Sequence, residues 1–295
     1  MRRNFVTLDV FTTRSLAGNP LAVVLDAQNL DTAAMQAIAR EFNLSETVFV
    51  MPPQAGGRAK IRIFTPGREL PFAGHPTVGT AVLLALRDPK GAASFVLEEE
   101  VGPVTCAVEP TSPTSGRARF DLPRMPEKSG EMRDAGAVAA AVGLKSDDIG
   151  DLPPGLWSGG VAYAYLPVRS RDAVARSRAD AALLERALGT GHPQSIYVFS
   201  RETTEAGHHF HARMYAPTFG IPEDPATGSA VAGFAGLLAA HEKMSDGEHE
   251  FVIEQGYEMG RPSVMHLYMT MRGGKLAAAA IGGEAVIFSE GTFEA

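Results

Sequence analysis

One stretch of the sequence combines residue types that hold an anion at the start of a helix. It runs from Glu223 to Ala230 and reads Glu-Asp-Pro-Ala-Thr-Gly-Ser-Ala. Proline fits a first helical turn because its missing N–H would have no partner there, and glycine lets the backbone approach a ligand closely. The free N–H groups of such a turn, together with the helix dipole, favour negative charge. The stretch therefore predicts an anion site around Gly228.

A purely structural interpretation of the same residues stays open at this stage. Asp224 precedes a proline, and capping a helix is the commoner use of aspartate at such a position. Gly228 would then serve only to let the helix pack closely against a neighbouring element.

A second stretch resembles the first and lies about half a chain earlier. His75 to Val82 (His-Pro-Thr-Val-Gly-Thr-Ala-Val) matches Asp224 to Val231 (Asp-Pro-Ala-Thr-Gly-Ser-Ala-Val) at an offset of 149 residues, 75 against 224. Each copy follows a strand-like segment that ends alike, at Arg62–Pro66 and Arg213–Pro217. Short echoes also arise by chance. The echo favours two equivalent halves with a site on a pseudo-twofold axis, where two helix starts could stabilise an enolate-like charge.

Two further residues could move or polarise a proton. His75 occupies the place of Asp224 in this echo and could polarise a substrate oxygen or shuttle a proton. Glu46 stands between a helix and a strand, where a carboxylate can project into a cleft and gain basicity by desolvation. The alternatives are a buried, hydrogen-bonded histidine and a solvated boundary glutamate.

Metal and cofactor chemistry find little support in the sequence. His208, His209 and His211 cluster, and the last two are expected on one strand face, but no carboxylate or cysteine is spaced to complete a metal site. Cys106 is the single cysteine, so no intramolecular disulfide can form. Neither a phosphate-binding nor a dinucleotide-binding glycine motif is present. We expect no metal and no cofactor.

Composition limits the partners and the compartment. The 295 residues allow one large or two medium domains, and 45% hydrophobic residues with 21% charged ones are ordinary for a globular protein. A net charge of −7 disfavours nucleic acid or an anionic membrane as partner. Asp9 and Arg14 interrupt any signal-peptide core after the basic start, and no apolar run approaches the roughly 18 residues of a membrane span. We expect a cytoplasmic protein.

Strand-like and helix-like segments alternate along the chain. Apolar spacing and caps predict helices after Asp31 and over Val78–Leu86, Ala135–Val142, Asp172–Leu188 and Gly228–His241. Short β-rich runs, such as the alternating Ala59–Thr65, predict strands between them. Pro123–Asp134 is rich in proline and charge, and we interpret it as the crossing between halves.

The motifs together resemble the PhzF-like phenazine biosynthesis family, a branch of the diaminopimelate-epimerase-like superfamily. The matching stretches follow one another in family order and are Asp9–Phe11, Gly18–Val24, Ser45–Phe49, Phe64–Gly79, Arg213–Pro217 and Glu223–Ala230. They span the chain from near its start to residue 230.

The resemblance implies a fold and an assembly. It implies an α+β protein of two pseudo-twofold-related domains, each a curled, mostly antiparallel sheet around a central helix, with the site in the cleft between them. We expect a first half at 1–125, joined by the last strand at about 283–295, and a second half at 126–282. A homodimer without a cofactor is also implied.

The resemblance also assigns roles to residues. It implies that Glu46 is the catalytic acid/base, that His75, Asp224 and Ser229 complete the site, and that Gly74 and Gly228 supply backbone donors. Related epimerases and racemases use two cysteines, which this sequence lacks.

The expected activity is proton movement on a small carboxylate-bearing substrate, of the trans-2,3-dihydro-3-hydroxyanthranilate isomerase type. Glu46 would shuttle the proton, His75 and Asp224 would position or protonate the substrate, and Gly74, Gly228 and Ser229 would hold its carboxylate. The alternatives are an epimerase or isomerase of another amino or hydroxy acid, and a non-catalytic binder of small acids.

Overall fold

The computed structural model describes residues 1–88, 93–189 and 191–295. Within these ranges the chain forms two compact units. The first contains residues 1–123 and 281–295, and the second contains residues 124–280.

The first unit is built from strands with two helices inserted between them. Its elements are β1 (Arg2–Val10), β2 (Asn19–Val24), α1 (Thr32–Phe42), β3 (Glu46–Met51), β4 (Ala59–Phe64), β5 (Glu69–Leu70), α2 (Gly74–Leu86), β6 (Ser94–Glu99), β7 (Gly102–Ser112), β8 (Ser115–Asp121) and the later part of β17 (Lys275–Glu294).

The sheet of the first unit closes on itself around α2. Neighbouring strands pair in the order β17, β1, β2, β3, β4, β6, β7 and β8, and β8 pairs back with β17. Helix α2 is buried along Gly74–Ala85 and is apolar on all sides, which is the pattern of a helix enclosed on every face. The closed sheet provides that enclosure, and it bears out the expectation of a mixed fold in which a curled sheet surrounds a helix.

The second unit repeats this kind of construction. Its elements are β9 (Glu127–Gly130), α3 (Ala135–Ala141), β10 (Gly155–Ser158), β11 (Ala162–Pro167), α4 (Arg171–Arg176), α5 (Ala181–Leu188), β12 (Ile196–Ser200), β13 (Phe210–Ala216), β14 (Ile221–Asp224), α6 (Gly228–His241), β15 (Gly247–Gln255), β16 (Ser263–Arg272) and the start of β17.

Both units use the same order of strand pairings. In the first unit β1–β2 is antiparallel, β2–β3 parallel, β3–β4 antiparallel, β4–β6 parallel and β6–β7 antiparallel. In the second, β10–β11, β11–β12, β12–β13, β13–β15 and β15–β16 follow the same order. Helix α6, apolar on all sides like α2, is buried along most of its length. The internal repeat is therefore a repeat of topology.

An ion pair marks equivalent positions in the two units. Arg62 on β4 forms a bidentate pair with Glu69 on β5, with both N···O distances at 2.6 Å. Arg213 on β13 forms the same pair with Glu223 on β14, at 2.7 Å. Three residues then lead from each short strand to the first residue of the central helix, Gly74 or Gly228.

This equivalence corrects the offset inferred from the sequence echo. The structure matches Gly74 with Gly228 and His75 with Ser229, an offset of 154 residues in place of 149. The prediction that His75 occupies the place of Asp224 is wrong. Asp224 ends β14, whereas His75 is the second residue of α2. The sequence echo gave the wrong offset because both helix starts contain proline and glycine, but at different distances from the preceding strand.

The predicted helices are found with altered ends. Asp31 caps α1 as expected, accepting a hydrogen bond from the Ala34 N–H at 2.8 Å. The single helix predicted over Asp172–Leu188 is two helices, because Ser177 leaves the helical conformation and Asp180 caps a new start. None of the helices in the described ranges has both the length and the apolar character to cross a membrane.

Close packing at Gly79 provides a test of the enclosed helix. A Cβ atom there would lie 2.6 Å from Leu21 Cδ2 and 2.7 Å from Val10 Cγ2. We expect Gly79→Val to lower the free energy of unfolding by about 1–3 kcal/mol, the usual cost of overpacking. Urea denaturation measures this. Gly67→Val is the matched control, since the nearest neighbour of a Cβ atom at Gly67 lies 3.8 Å away. Equal stability of the two variants would contradict the packing.

Candidate active site

Glu46 is the first residue of β3 and lies largely buried. The chain leaves α1 through Asn43 in the left-handed conformation (φ 50°), and β3 then aligns parallel to β2 with Glu46 opposite Leu21. The side chain is 13% exposed. The alternative of a solvated boundary glutamate is therefore wrong.

His75 places its imidazole beside this carboxyl group. As the second residue of α2 it is 5% exposed, and its Nε2 lies 3.3 Å from Glu46 Oε2. Burial lowers the pKa of His75 to about 3. The imidazole is therefore neutral near pH 7, so it can donate one hydrogen bond and accept another but carries no charge. A carboxyl group and a neutral imidazole therefore lie side by side, and both are largely buried.

The first turn of α2 adds backbone donors to this pair. The helix begins at Gly74, and its N-cap, Ala73, offers no side-chain hydrogen bond. The N–H groups of Gly74 and His75 have no acceptor within the helix, as in every first turn. These N–H groups form the positive end of the helix dipole, which therefore lies next to Glu46.

In the second unit, Asp224 and Thr227 form the turn that leads into α6. Asp224 is buried and its Oδ2 accepts the Thr227 hydroxyl proton at 2.5 Å. Helix α6 begins at Gly228, and its N-cap is Thr227. The alternative of Asp224 as the N-cap is therefore wrong: its carboxylate is bound to the N-cap side chain.

Ser229 presents its hydroxyl at the same helix start. Its Oγ lies 2.7 Å from the hydroxyl of Tyr163 on β11, and Ser229 is half-buried. The N–H groups of Gly228 and Ser229 belong to the first turn and have no acceptor within the helix. The turn thus assembles two backbone donors, a serine hydroxyl and a carboxylate.

Sequence reasoning missed the residues that hold this turn. The Gln255 side chain is fully buried; its Nε2 donates to the Asp224 carbonyl at 2.7 Å and to Thr227 Oγ1 at 3.0 Å, and its Oε1 accepts from the Thr227 N–H at 3.3 Å. Gln255 is distant in sequence from the motif, and no spacing pattern links them. No sequence pattern linked Tyr163 to the site either, because an aromatic residue in a strand usually indicates core packing.

The structure thus brings the predicted residues together in two groups. Glu46, His75 and Gly74 meet in the first unit, and Asp224, Gly228 and Ser229 meet in the second. That both groups serve one cleft stays a prediction.

The histidine cluster has a structural arrangement. Glu254 on β15 lies between two histidines, 2.7 Å from His208 Nδ1 and 2.8 Å from His211 Nδ1, while His211 Nε2 lies 2.9 Å from Glu258. Sequence spacing did not reveal these carboxylates because they come from elsewhere in the chain. His209 is exposed and stands outside the cluster. Across residues 1–88, 93–189 and 191–295, no group of three or more histidine, cysteine, aspartate or glutamate side chains is arranged to hold a metal ion.

Charge balance explains this cluster. Burial by itself would lower the pKa of His211, but hydrogen bonds to Glu254 and Glu258 raise it above the usual value. Burial opposes ionisation of Glu254 as well, yet bonds from His211 and from backbone N–H groups lower the pKa of Glu254 to about 2. The two carboxylates therefore favour the protonated form of His211.

The buried, neutral His75 should link stability to pH. Its folded-state pKa of about 3 lies below the ordinary 6.5, so the unfolded chain binds the extra proton and stability falls as pH drops from about 6.5 towards 3. We expect the stability of wild type relative to His75→Gln to fall by up to about 1.4 kcal/mol per pH unit in this window. Denaturant titrations at several pH values measure the difference; parallel curves would show that His75 titrates normally.

Comparisons with known proteins agree with the resemblance. The family model for phenazine biosynthesis-like proteins (PhzC-PhzF) matches residues 8–291. An uncharacterized isomerase from Mesorhizobium japonicum is 50% identical, and a trans-2,3-dihydro-3-hydroxyanthranilate isomerase from Pseudomonas fluorescens is 37% identical, each over 98% of both chains. The crystal structure of a PhzF family protein from Bacillus anthracis superposes with a TM-score of 0.90 at 28% identity and covers 100% of both chains. The chain therefore belongs to the PhzF family of phenazine biosynthesis-like proteins.

Proposed function

We propose that this protein is a cofactor-independent isomerase that moves a proton on a small carboxylate-bearing substrate. The observation that carries the proposal is the buried contact between Glu46 and the neutral His75, 3.3 Å apart, beside the N–H groups of a helix start. Relatives that match over almost the whole chain bear the name isomerase, which supports the reaction class.

In the proposed mechanism Glu46 is the proton carrier. Its carboxylate takes a proton from a substrate carbon, and the electron pair of that C–H bond moves into the adjoining conjugated system. The carboxyl group then returns the proton to another carbon, where a new C–H bond forms. No electrons leave the substrate, so the step needs no redox partner.

His75 acts in this scheme as a hydrogen-bonding group. Because its pKa is about 3, it carries no positive charge near pH 7 and is a poor source of protons. A neutral imidazole donating one hydrogen bond can stabilise charge that develops on a substrate oxygen. It also stands close enough to Glu46 to orient the carboxyl group.

The second unit supplies the proposed carboxylate holders. Gly228 and Ser229 lead α6, where N–H groups and the helix dipole favour an anion. Asp224, fixed by Thr227 and Gln255, positions or protonates the substrate. A substrate that is anionic at one end and conjugated at the other suits this set.

The chemistry of the substrate follows the named relatives. The trans-2,3-dihydro-3-hydroxyanthranilate of the Pseudomonas fluorescens relative carries a carboxylate and a conjugated ring, and it is our first candidate. Other small cyclic or amino acids belong in the same screen. A homodimer in the cytoplasm remains our expectation for the assembled enzyme.

Substitution of Glu46 tests the proton carrier. Glu46→Gln keeps size and hydrogen bonding but cannot accept the proton, so we expect it to fold, bind substrate and lose about 10²–10⁴-fold in turnover. The assay is product formation from the dihydro-hydroxyanthranilate or from the acid found in a deuterium-exchange screen. Wild type run in heavy water should place deuterium in the product.

A matched control accompanies this variant. Glu41→Gln makes the same chemical change at an exposed position of α1 and should leave turnover unchanged. Near-wild-type turnover of Glu46→Gln would remove Glu46 from the mechanism.

The helix start of the second unit is tested by binding. Gly228→Val adds a side chain at the first residue of α6, and Ser229→Ala removes the hydroxyl beside Tyr163. We expect both to weaken binding of the substrate carboxylate, with Ser229→Ala losing about 1 kcal/mol, the usual value of one hydrogen bond. Calorimetric titration measures the affinity, and circular dichroism checks the fold. Unchanged affinity in both variants would refute the carboxylate site.

A further inference from the structure

Glu99 is a buried carboxyl group beside the first turn of α2 that the proposed mechanism does not use. It is the last residue of β6 and is 8% exposed. Its Oε1 lies 2.8 Å from the hydroxyl oxygen of Thr77. Thr77 is fully buried in the turn that begins with Gly74 and His75. Glu99 therefore contacts the helix start that carries half of the candidate site.

Two oxygen atoms compete for the single hydroxyl proton of Thr77. Its Oγ1 lies 2.8 Å from the Ala73 carbonyl oxygen as well as from Glu99. A hydroxyl group has one proton to donate, and both a carbonyl and an ionised carboxylate can only accept. If Thr77 donates to Ala73, the contact with Glu99 is a hydrogen bond only when Glu99 supplies the proton. Burial favours the neutral acid: it raises the pKa of Glu99 to about 8, and it outweighs a hydrogen bond from Thr77, which acts to lower that pKa.

The internal repeat supplies an independent comparison. β6 pairs in parallel with β4, and β15 pairs in parallel with β13; Glu98 lies opposite Lys60, and Glu254 lies opposite His211. The next residues, which end their strands, are Glu99 and Gln255.

The residues that precede this pair confirm the match. Glu98 accepts backbone N–H groups from Gln54, Ala55 and Gly57, and Glu254 accepts them from Thr204 and Glu205. Each carboxylate anchors the loop before the neighbouring strand. Glu99 and Gln255 therefore hold the same place in the two units.

Gln255 shows what this place does in the second unit. Its amide donates to the Thr227 hydroxyl at 3.0 Å, and that hydroxyl donates onward to Asp224. A glutamine amide is neutral at every pH, so this chain of donors has a fixed direction. A protonated Glu99 would give the first unit a chain of the same direction, through Thr77 to Ala73.

We propose that Glu99 is a positioning residue of the first unit, which as a neutral carboxylic acid donates its proton to Thr77 Oγ1 and so fixes the turn that carries Gly74 and His75. It acts through Thr77 and does not touch substrate. The proposal deepens the proposed function, on which its activity readout rests, but the protonation of Glu99 is independent of any substrate.

Two uncharged groups lie near Glu99. On α2 it meets the Thr77 hydroxyl, and on β7 it lies near the thiol of Cys106, whose pKa is raised by burial and, once Glu99 is ionised, also by the charges of Glu99 and Asp121. On its own strand Glu98 points to the opposite face, and Lys60 of β4 reaches Gln54 at 2.9 Å. Ionisation at alkaline pH turns Glu99 into an acceptor, which takes the Thr77 proton away from Ala73.

The experiment compares wild type with Glu99→Gln and Glu99→Leu. The folded-state pKa of Glu99 lies above the unfolded value, so wild-type stability falls as pH rises from about 4.5 to about 8. Measured against Glu99→Gln, the folding equilibrium constant of wild type should fall by up to about tenfold per pH unit in this window. An infrared difference spectrum at pH 6 should show one protonated carboxyl band that Glu99→Gln lacks.

Turnover gives the second readout. Glu99→Gln should keep near-wild-type turnover at pH 7 and retain it at alkaline pH where wild type declines, whereas Glu99→Leu should lose about tenfold or more in kcat with a smaller change in KM. If Glu99→Leu fails to fold, the spectrum and Glu99→Gln still decide. A missing carboxyl band, or a pH-independent stability difference, would overturn the proposal. An inactive wild type with the band present would instead refute only the proposed function.

Discussion

Enclosure of the two central helices is the constraint on which the other features depend. α2 and α6 are apolar around their whole circumference, and such helices are stable only when apolar neighbours cover every face. Their sides then offer nothing to a polar ligand. The first turn of each helix differs from its sides, because the leading N–H groups have no acceptor in the helix. The polar groups of the candidate site in each unit are therefore gathered at a helix start.

A helix start in a buried setting needs its own polar partners. Buried donors and acceptors without partners are costly, and in this protein the end of one neighbouring strand supplies them. Gln255 bonds the turn before α6 at three atoms, and Glu99 bonds Thr77 in α2. Both residues follow a glutamate that anchors a loop. One structural solution serves both halves of the repeat.

The two units nevertheless differ in the side chains at the helix start. The first places an imidazole at the second helical position, next to a carboxyl group from β3. The second places a serine there, next to a tyrosine hydroxyl. An imidazole–carboxyl pair suits proton transfer, whereas hydroxyl and N–H groups suit the holding of an anion. A repeat of topology can thus present two different sets of side chains, because the order of strand pairings is shared and a few side chains are not.

Local chemistry in the sequence was sufficient for several features. The proline and glycine motifs located both helix starts near Gly74 and Gly228, Asp31 marked the start of α1, and the family motifs identified the fold family and the reaction class. These features depend on residues close together in the chain. Periodicity also found α6 but joined α4 and α5 into one helix, because Ser177 and Asp180 interrupt the backbone without interrupting the apolar pattern.

Tertiary structure decided the rest, because it depends on residues far apart in the chain. The echo at 149 residues could not show that His75 corresponds to Ser229; the Arg62–Glu69 and Arg213–Glu223 pairs did. The neutrality of His75 follows from burial, which no local pattern contains. The same strand supplies Glu254, which bonds His208 and His211, and Gln255, which bonds Asp224. That strand lies more than 25 residues away from these partners in the sequence. Residue types determined which chemistry was available, and packing determined which of those residues meet and in which protonation state.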